Sequence, residues 1–478
     1  MQLATVVHRR FRSDSGLEFV YAANSAAILE LDPLAAAAVD AFAAPGGRDD
    51  AAWLATTADP VAAEATLHDL IDLGVIRPHG EGPAPRAGLP PMPFPISTLV
   101  LNVTNKCNLS CTYCYEYGAD RLTAGSGSQG SGKARMDEHT ARQSIDFLLR
   151  NSGDRPQVSV TFFGGETLLN FPAIRAATEY AVAAAAQHRK RMHFALTTNA
   201  TLLTDEVIDF LTLHRFGITV SIDGVPEDHD RHRVFRSGEG SFATIAPRIR
   251  ALVAKNRERK GRSIGARVTL TSGAAPVRES YAFLTGELGF DEVGFAPVTA
   301  GLGRDYALGE PGYAKLLREF ADLARDYTAA ALRGESHGFA NLGDLLRELH
   351  QGVQKAHPCG AGLGLLGVST EGELGLCHRF VESKDHALGT VAAGVDQAAR
   401  TAFLAKAHVD QKPDCANCFA RPLCAGGCYH EAHVRYGDAA HANLHYCEWI
   451  RGFTALGLDC YAQIRAGNPR FLARFETA

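Results

Sequence analysis

The chain has 478 residues, a formal net charge of −5 and 21% charged side chains, so it is long enough for two or three domains with a large core. Acidic and basic residues are mixed without a basic stripe, which disfavours a nucleic-acid partner. No apolar run reaches membrane-spanning length, and no charged-then-apolar leader begins the chain. Since ten of the eleven cysteines have metal-like spacing instead of a disulfide pattern, we expect a reduced, cytoplasmic protein that binds no membrane.

Residues 1–78 predict a small first domain. Short β-type runs precede three apolar helical stretches, an order typical of a winged-helix-like module. The strand runs are Leu3–His8, Glu18–Ala22 and Ala27–Leu31, and the helical runs are Ala35–Phe42, Ala51–Thr57 and Val61–Leu73. Either a recognition module or a stabilising N-terminal cap fits this pattern. The Pro- and Gly-rich stretch 79–95 predicts an extended linker.

Strand-like and helix-like segments alternate through residues 96–300, which predicts a parallel α/β sheet. Strands are expected at Leu99–Val103, Val158–Phe163, His193–Thr197, Gly217–Ile222, Ala266–Thr271 and Glu292–Ala296, with helices including Glu138–Arg150, Ala173–Ala185, Asp205–His214 and Phe242–Lys255. In such folds the functional groups gather at the C-terminal ends of the strands. Residues 301–357 predict a helical bridge, and Glu448–Ile464 predicts a closing helix within a last unit, 358–478.

Three closely spaced cysteines follow the first of these strands. Cys107, Cys111 and Cys114 have the spacing Cys-x3-Cys-x2-Cys, and the sequence has no fourth cysteine nearby. Three thiolates on a four-iron cluster leave one iron without a protein ligand. An open coordination position is what a catalytic metal site needs. A zinc loop or reduced core thiols are the alternatives, although zinc sites normally have four ligands.

A second group of cysteines lies near the C-terminal end. Its members are Cys359, Cys377, Cys415, Cys418, Cys424, Cys428 and Cys447. Zinc-ribbon-like scaffolding is one interpretation of their spacing, but the cysteine loop earlier in the chain argues against it. The remaining cysteine, Cys460, lies in the predicted C-terminal helix, where an ordinary buried thiol is expected.

Small polar groups follow the second, third and fourth predicted strands, in the segments 164–166, 197–199 and 221–223. The first is Gly-Gly-Glu; a glycine pair lets the backbone approach a ligand closely, and the adjacent carboxylate can take an ammonium group. The other two segments present side chains that suit ligand hydroxyl and carboxylate groups. An ordinary turn and strand-end capping explain the same residues.

Asp223 and Asp230 are the candidate catalytic residues, either positioning a substrate or removing a proton. A carboxylate acts as a general base when it lies within hydrogen-bond reach of the proton. Asp230 belongs to the run His229-Asp230-Arg231, which fits a salt-bridged loop equally well. The Gly- and Ser-rich stretch Thr123–Lys133 predicts a mobile flap or, preferably, a disordered insertion.

The cysteine loop, with the aromatic Tyr113 just before Cys114, resembles the cluster loop of radical S-adenosylmethionine (SAM) enzymes. The resemblance implies a partial (β/α)6 barrel, a [4Fe-4S] cluster, and SAM bound to the open iron. In that family SAM cleavage yields a 5′-deoxyadenosyl radical that takes a hydrogen atom from the substrate, while the protein supplies binding and orientation. The SAM contacts implied here are Tyr113, Gly164, Gly165, Glu166, Thr198, Asn199, Ser221 and Arg267. For Arg267, a structural role fits equally well.

The second cysteine group resembles the SPASM extension of radical SAM enzymes that modify peptides and proteins. The resemblance implies two auxiliary [4Fe-4S] clusters, making three in all. The implied ligands are Cys415, Cys418, Cys424 and Cys447 for one, and Cys359, Cys377 and Cys428 for the other. The three-cysteine cluster then has an open iron or an unidentified ligand. The N-terminal module resembles the peptide-recognition domains of these enzymes, which bind a partner segment as an added strand.

Within this group, the chain length, the N-terminal module and the run 107–118 most resemble the maturation proteins of quinohemoprotein amine dehydrogenase. The resemblance implies thioether formation between cysteine sulfur and the methylene of Asp or Glu in the dehydrogenase's small subunit. It also implies a low-potential electron donor such as flavodoxin or ferredoxin. Formylglycine formation in a sulfatase and carbon–carbon crosslinking share the same motifs. A non-catalytic iron–sulfur carrier or a zinc scaffold is the alternative from another class.

Overall fold

The computed structural model describes residues 1–44, 46–81, 85–114, 134–299 and 303–476. Within these ranges the chain forms two small antiparallel sheets near the N-terminus and one ten-stranded mixed sheet. The stretch Thr123–Lys133, predicted as a flap or an insertion, lies outside the described residues.

The N-terminal region combines short strands with three helices. Its elements are β1 Gln2–Thr5, β2 His8–Arg12, β3 Glu18–Ala22, β4 Ala27–Leu31, α1 Pro33–Phe42, β5 Arg48–Asp49, α2 Asp50–Leu54, α3 Pro60–Asp72 and β6 Ile76–Pro78. The strand orders are β5-β1-β6 and β2-β3-β4. Asp32 and Asp59 cap α1 and α3, and a proline follows each at the first helical turn, so local sequence sets where these helices begin.

The strand predicted over Leu3–His8 is two strands. The amide of Val6 donates to Val75 O at 3.0 Å, whereas the amide of Ala23 donates to Val7 O at 3.1 Å. Adjacent residues are therefore bonded to different sheets, and the chain changes sheets between them. The sequence gives no sign of this change, because Leu3–Val7 is a single run of apolar and β-branched residues that favours one strand.

Six parallel strands form the central part of the large sheet. They are β7 Thr98–Thr104, β8 Gln157–Gly164, β9 Arg191–Thr198, β10 Gly217–Ser221, β11 Ile264–Leu270 and β12 Glu292–Pro297. They lie side by side in chain order and coincide with the six predicted strands. Their inward residues, such as Leu99, Val160 and Val220, are fully buried in the main hydrophobic core.

The sheet continues on the far side of β7. The additional strands are β13 Leu365–Val368, β14 Glu373–Gly375, β15 Ala387–Thr390 and β16 Gly394–Val395. β13 pairs parallel to β7, and the other three follow antiparallel. The start of the C-terminal cysteine region therefore lies in the same sheet as β7, the strand that leads into the cysteine loop.

Helices surround this sheet. They are α4 Glu138–Asn151, α5 Phe171–Gln187, α6 Asp205–Leu213, α7 Pro226–His232, α8 Phe242–Glu258, α9 Val277–Gly286, α10 Glu310–Leu332, α11 Ala340–His350, α12 Gln397–Ala407, α13 Arg421–Cys424, α14 Tyr429–Tyr436 and α15 Cys447–Gly467. The rings of Phe320 on α10 and Trp449 on α15 meet edge to face at 4.9 Å between centroids. Across the described ranges, no helix has the length and apolar character needed to cross a bilayer.

The stretch predicted as a linker makes specific contacts at Arg86. Its guanidinium is buried and donates to Asn24 O at 2.8 Å and to Gln354 Oε1 at 2.6 Å. Its backbone amide donates to Asp410 Oδ2 at 2.9 Å. One buried residue thus connects the N-terminal region, the segment after α11 and the C-terminal cysteine region.

Candidate functional site

A cavity of about 510 Å³ opens at the C-terminal ends of the parallel strands. It is lined by all three cysteines of the loop after β7 and by all eight residues implied as SAM contacts. These are Cys107, Cys111, Cys114, Tyr113, Gly164, Gly165, Glu166, Thr198, Asn199, Ser221 and Arg267. The segments that were singled out separately in the sequence therefore meet in one place.

The cysteine loop is held by backbone contacts with the segment after α7. The amide of Ser110 donates to Val234 O at 2.8 Å and that of Thr112 to His232 O at 3.1 Å. Arg236 adds a hydrogen bond from Nη2 to Cys107 O at 3.1 Å. These contacts fix the direction in which the thiols point.

The three loop thiols act on one another electrostatically. Burial raises the pKa of Cys107 to about 12, and the charges of Cys111 and Cys114 add to the rise. Buried thiolates that repel one another need a cationic partner. Three thiolates are the ligand number that leaves one iron of a four-iron cluster without a protein ligand.

Gly164 is required by the close approach of two strands. It has φ +136°, and a Cβ atom there would collide with the carbonyl oxygen of Thr104. The amide of Gly165 donates to that same oxygen at 3.0 Å. The glycine pair thus brings backbone directly against the base of the cysteine loop.

Replacing Gly164 with alanine is expected to lower the free energy of unfolding by about 1–3 kcal/mol, because the added methyl overpacks against backbone. Urea denaturation measures the loss. Gly265→Ala is the matched control: this glycine lies in β11, and nothing stands within 4 Å of its added Cβ. That variant should be neutral or slightly stabilised. Equal losses in the two variants would contradict the close-approach argument.

Glu166 is a buried residue whose carboxylate accepts hydrogen bonds from the C-terminal end of β9. Its Oε1 accepts from Thr198 Oγ1 at 2.7 Å and from the amide of Leu168 at 3.0 Å, and its Oε2 accepts from the amide of Asn199 at 2.7 Å. Burial raises the pKa of Glu166, and these hydrogen bonds oppose the rise. The carboxylate lines the cavity with three hydrogen bonds already in place, so its orientation is fixed.

Asn199 links β9 to the cysteine loop. Its Nδ2 lies 3.9 Å from Cys107 Sγ and donates to Asn108 Oδ1 at 3.0 Å, while its Oδ1 accepts from the amide of Thr201 at 3.0 Å. The amide therefore orients the first cysteine of the loop.

Asp223 lies behind the cavity wall in a buried ion pair. Its Oδ2 accepts from Arg233 Nε at 2.9 Å and from the hydroxyl of Tyr113, and its Oδ1 accepts from the amide of Thr269 at 3.0 Å. The Arg233 guanidinium also lies over the Tyr113 ring, 5.4 Å from its centroid. Burial raises the pKa of Tyr113 well above its ordinary value. These contacts orient Tyr113 and Arg233, which both line the cavity.

Asp230 is placed differently and does not line the cavity. Its Oδ1 accepts from the amide of Phe242 at 2.8 Å, at the first residue of α8. Its neighbour His229 hydrogen-bonds through Nε2 to Ser241 Oγ at 2.8 Å. Both side chains thus hold the start of α8.

The C-terminal cysteines form two neighbouring sets. Cys415, Cys418, Cys424 and Cys447 line one small cavity. Cys359, Cys377 and Cys428 form the other set, because each lies close enough to affect the charge of Cys377. Burial raises the pKa of Cys377 to about 12, and Cys359 and Cys428 add to the rise. Cys460 lies buried within α15.

Three ionisable residues of the cavity lining were missed in the sequence: Arg233, His378 and Arg379. His378 and Arg379 directly follow Cys377, and the His378 ring lies 4.4 Å from that of Phe163 at the end of β8. Their position beside a cysteine is a signal that the sequence contains. Arg233 has no such signal, because its role depends on a partner in another element.

The profile of the Radical SAM superfamily matches residues 101–269. A serine-type anaerobic sulfatase-maturating enzyme of Bacteroides thetaiotaomicron is 32% identical over 166 residues, which are 34% of this chain and 37% of that enzyme. The chain spans less than half the length of the first curated relatives that it matches. Residues 101–269 thus match the radical SAM superfamily, and part of the chain is similar in sequence to a sulfatase-maturating enzyme.

Solved structures extend the likeness beyond this domain. Native anSMEcpe with bound AdoMet superposes with a TM-score of 0.61 at 20% identity, over 80% of this chain and all of that chain. Streptococcus suis SuiB bound to the precursor peptide SuiA gives 0.51 at 13% identity, over 94% of this chain and all of that one. At these identities the likeness concerns the fold, including the C-terminal cysteine region.

Proposed function

We propose that this chain is a radical SAM maturase that modifies a peptide or small protein subunit. The observation that carries the proposal is the 510 Å³ cavity in which the three loop thiols face the polar ends of the parallel strands. The sequence relationship to a sulfatase-maturating enzyme points to the same class of reaction. SuiB, whose fold is similar, was solved with a precursor peptide bound.

Cys107, Cys111 and Cys114 would hold a [4Fe-4S] cluster, and the eight cavity residues named above as SAM contacts would hold SAM beside it. Bound together, these groups supply a 5′-deoxyadenosyl radical that takes a hydrogen atom from the substrate. The side chains position the reactants: Glu166 fixes the end of β9, and Asp223 fixes Tyr113 and Arg233. Because both carboxylate oxygens of Asp223 already accept hydrogen bonds, its contacts support a role in orienting Tyr113 and Arg233. Proton removal by Asp223 or Asp230 stays a prediction.

The region 358–478 would hold two auxiliary [4Fe-4S] clusters. The cavity formed by Cys415, Cys418, Cys424 and Cys447 supports the first. The mutual influence of Cys359, Cys377 and Cys428 supports the second, with a fourth ligand still to be found. A flavodoxin or ferredoxin would supply electrons to the enzyme.

Residues 1–78 would recognise the substrate. The three-stranded sheet β2-β3-β4 has two edge strands, and an extended peptide can add to such an edge through main-chain hydrogen bonds. The region is attached to the rest of the chain by Arg86 and by the amide of Asp14, which donates to Gln463 Oε1 at 3.0 Å. A bound peptide would thus be tethered to the catalytic part of the chain.

The specific reaction proposed is thioether formation in the small subunit of a quinohemoprotein amine dehydrogenase, between a cysteine and the methylene of an Asp or Glu. Arg379 lines the cavity, and its guanidinium favours a substrate that carries a carboxylate next to the reacting carbon. For each crosslink the carbon would lose a hydrogen atom to the 5′-deoxyadenosyl radical and the thiol would lose a proton to solvent. The carbon–sulfur bond would then form with one electron left over, which would leave through the auxiliary clusters.

The test is anaerobic reconstitution with iron and sulfide, followed by SAM, dithionite and an amine dehydrogenase small-subunit peptide rich in cysteine and acidic residues. We expect 5′-deoxyadenosine, and a peptide lighter by two hydrogens per crosslink with one thiol lost for each. Absence of 5′-deoxyadenosine would overturn the enzyme assignment in favour of an electron carrier or scaffold. If 5′-deoxyadenosine forms and the peptide mass is unchanged, the substrate assignment is wrong.

Formylglycine formation is the second candidate, favoured by the 32% identity with a sulfatase-maturating enzyme. It converts a serine or cysteine of the substrate to an aldehyde. A sulfatase peptide in the same assay would then yield a product that reacts with a hydrazide probe, which a thioether product does not.

A further inference from the structure

Lys412 is a buried lysine between the two C-terminal cysteine sets. Its residue is 4% exposed. Its Nζ donates to Ala425 O at 3.3 Å and lies 5.6 Å from the centroid of the Tyr429 ring. Its carbonyl oxygen accepts from the amide of Cys415 at 3.0 Å. Both ends of this residue are therefore tied to segments that carry cysteines.

The ammonium group rests on the turn that joins the two sets. This turn runs from Cys424, of the four-cysteine set, to Cys428, of the three-cysteine set. Ala425, Gly426 and Gly427 have φ of 47°, 92° and 82°, so the backbone is left-handed throughout. A Cβ atom on Gly426 would lie 2.6 Å from Lys412 Nζ. The glycine thus leaves room for the ammonium to touch the backbone between one ligand of each set.

Lys412 has no carboxylate partner among the residues that the structure describes: its ammonium forms no ion pair within 4 Å. The nearby Asp438 is instead bonded to Lys406, Oδ2 to Nζ at 2.8 Å. Burial lowers the pKa of Lys412, and the thiolates of Cys415 and Cys424 oppose that fall. A buried ammonium with a single carbonyl acceptor is costly unless a negative group stands beside it. The negative groups that act on Lys412 are the cysteines and Asp438, and Asp438 is already paired with Lys406.

We propose that Lys412 is the electrostatic tuning residue of the auxiliary-cluster sites, raising the reduction potential of the four-cysteine site and, more weakly, of the three-cysteine site. This inference rests on the proposed function, because it requires clusters at both sets. The physical reason is that an added electron makes a thiolate-bound cluster more negative, and a fixed positive charge in a low-dielectric environment stabilises that form. Removing the charge makes the cluster harder to reduce.

The experiment compares Lys412→Met and Lys412→Arg in a full-length background in which Cys107, Cys111 and Cys114 are alanine, so that only auxiliary clusters are observed. Lys406→Met is the control, because Lys406 is 64% exposed and its ammonium group forms an ion pair with Asp438. Iron content and an EPR-monitored redox titration are measured after anaerobic reconstitution. At a fixed potential we expect Lys412→Met to lower the reduced-to-oxidised ratio by at least about tenfold, a shift of about 59 mV for one electron. Lys412→Arg and Lys406→Met should remain close to the background protein.

The outcomes separate this proposal from the one on which it rests. A background protein without auxiliary clusters would overturn the cluster sites and the role of Lys412 together. Full iron content with an unchanged midpoint in Lys412→Met would overturn the role of Lys412 alone. Loss of iron from Lys412→Met with retention in Lys412→Arg would support a requirement for the charge. Loss from both variants would contradict it, because the arginine retains the charge.

Discussion

Cys111→Ala is expected to abolish 5′-deoxyadenosine formation, with a loss of more than about a hundredfold, and to lower iron by about four atoms per chain. The reason is that Cys111 is one of three thiols on the cavity wall, and two thiolates leave a cluster without its tripod. Loss of a group that merely supports a metal ligand typically costs 10–100-fold, so loss of the ligand should cost more. Iron analysis and product chromatography after anaerobic reconstitution measure both effects.

Cys460→Ala is the matched control for this prediction. Cys460 is also buried, but it lies in α15 and lines neither the large cavity nor the four-cysteine cavity. Its replacement should leave iron content and 5′-deoxyadenosine formation unchanged. Full iron and full activity in Cys111→Ala would show that the loop holds no catalytic cluster.

Arg233→Met is expected to cost about 3–5 kcal/mol in the free energy of unfolding, because it leaves the carboxylate of Asp223 buried without its cation. The two side chains are 9% and 3% exposed, and Nε lies 2.9 Å from Oδ2. Burial opposes the charged form of Arg233, yet Asp223 and Tyr113 raise the pKa of Arg233 above its ordinary value. Urea denaturation of the cluster-free protein measures the loss.

Two further variants test whether the loss comes from the ion pair. Removing both charges in Arg233→Met with Asp223→Asn should recover part of the stability, since no unpaired charge remains. Arg278→Met removes an arginine that is 64% exposed and pairs with Asp326, itself 35% exposed, at 2.7 Å, and it should cost no more than about 1 kcal/mol. If Arg278→Met and Arg233→Met cost the same, burial of the Arg233–Asp223 pair has no energetic consequence.

Much of the α/β framework follows from local sequence pattern. The run Val158–Phe163 was predicted as a strand and lies within Gln157–Gly164, because most of its residues are β-branched or aromatic and its apolar side chains are the buried ones at alternate positions 158, 160 and 162. The helix predicted at Asp205–His214 is found at Asp205–Leu213, after the capping residue Thr204. The grouping of Cys107, Cys111 and Cys114 could likewise be predicted, since residues so close in sequence lie close in space regardless of how the rest of the chain folds.

Contacts between distant segments could not be predicted from the local sequence pattern. The pairing of β13 with β7 joins residues more than 250 positions apart and makes the C-terminal cysteine region continuous with the central sheet. Asp223 was singled out as a catalytic carboxylate, but only the fold shows that Arg233, Tyr113 and Thr269 surround it. Lys412 is an ordinary lysine in the sequence and becomes a buried charge only when the turn from Cys424 to Cys428 folds over it.

The sequence by itself determined the order of the six central strands and the helices between them that were predicted, as well as the cysteine spacings, because periodicity, capping and ligand spacing act over a few residues. Only the tertiary structure decided which charges are buried, which carboxylates are already bonded and which residues line the cavity. The physical reason is that burial and ion pairing depend on every element packed around a group, and no single stretch of sequence records those neighbours.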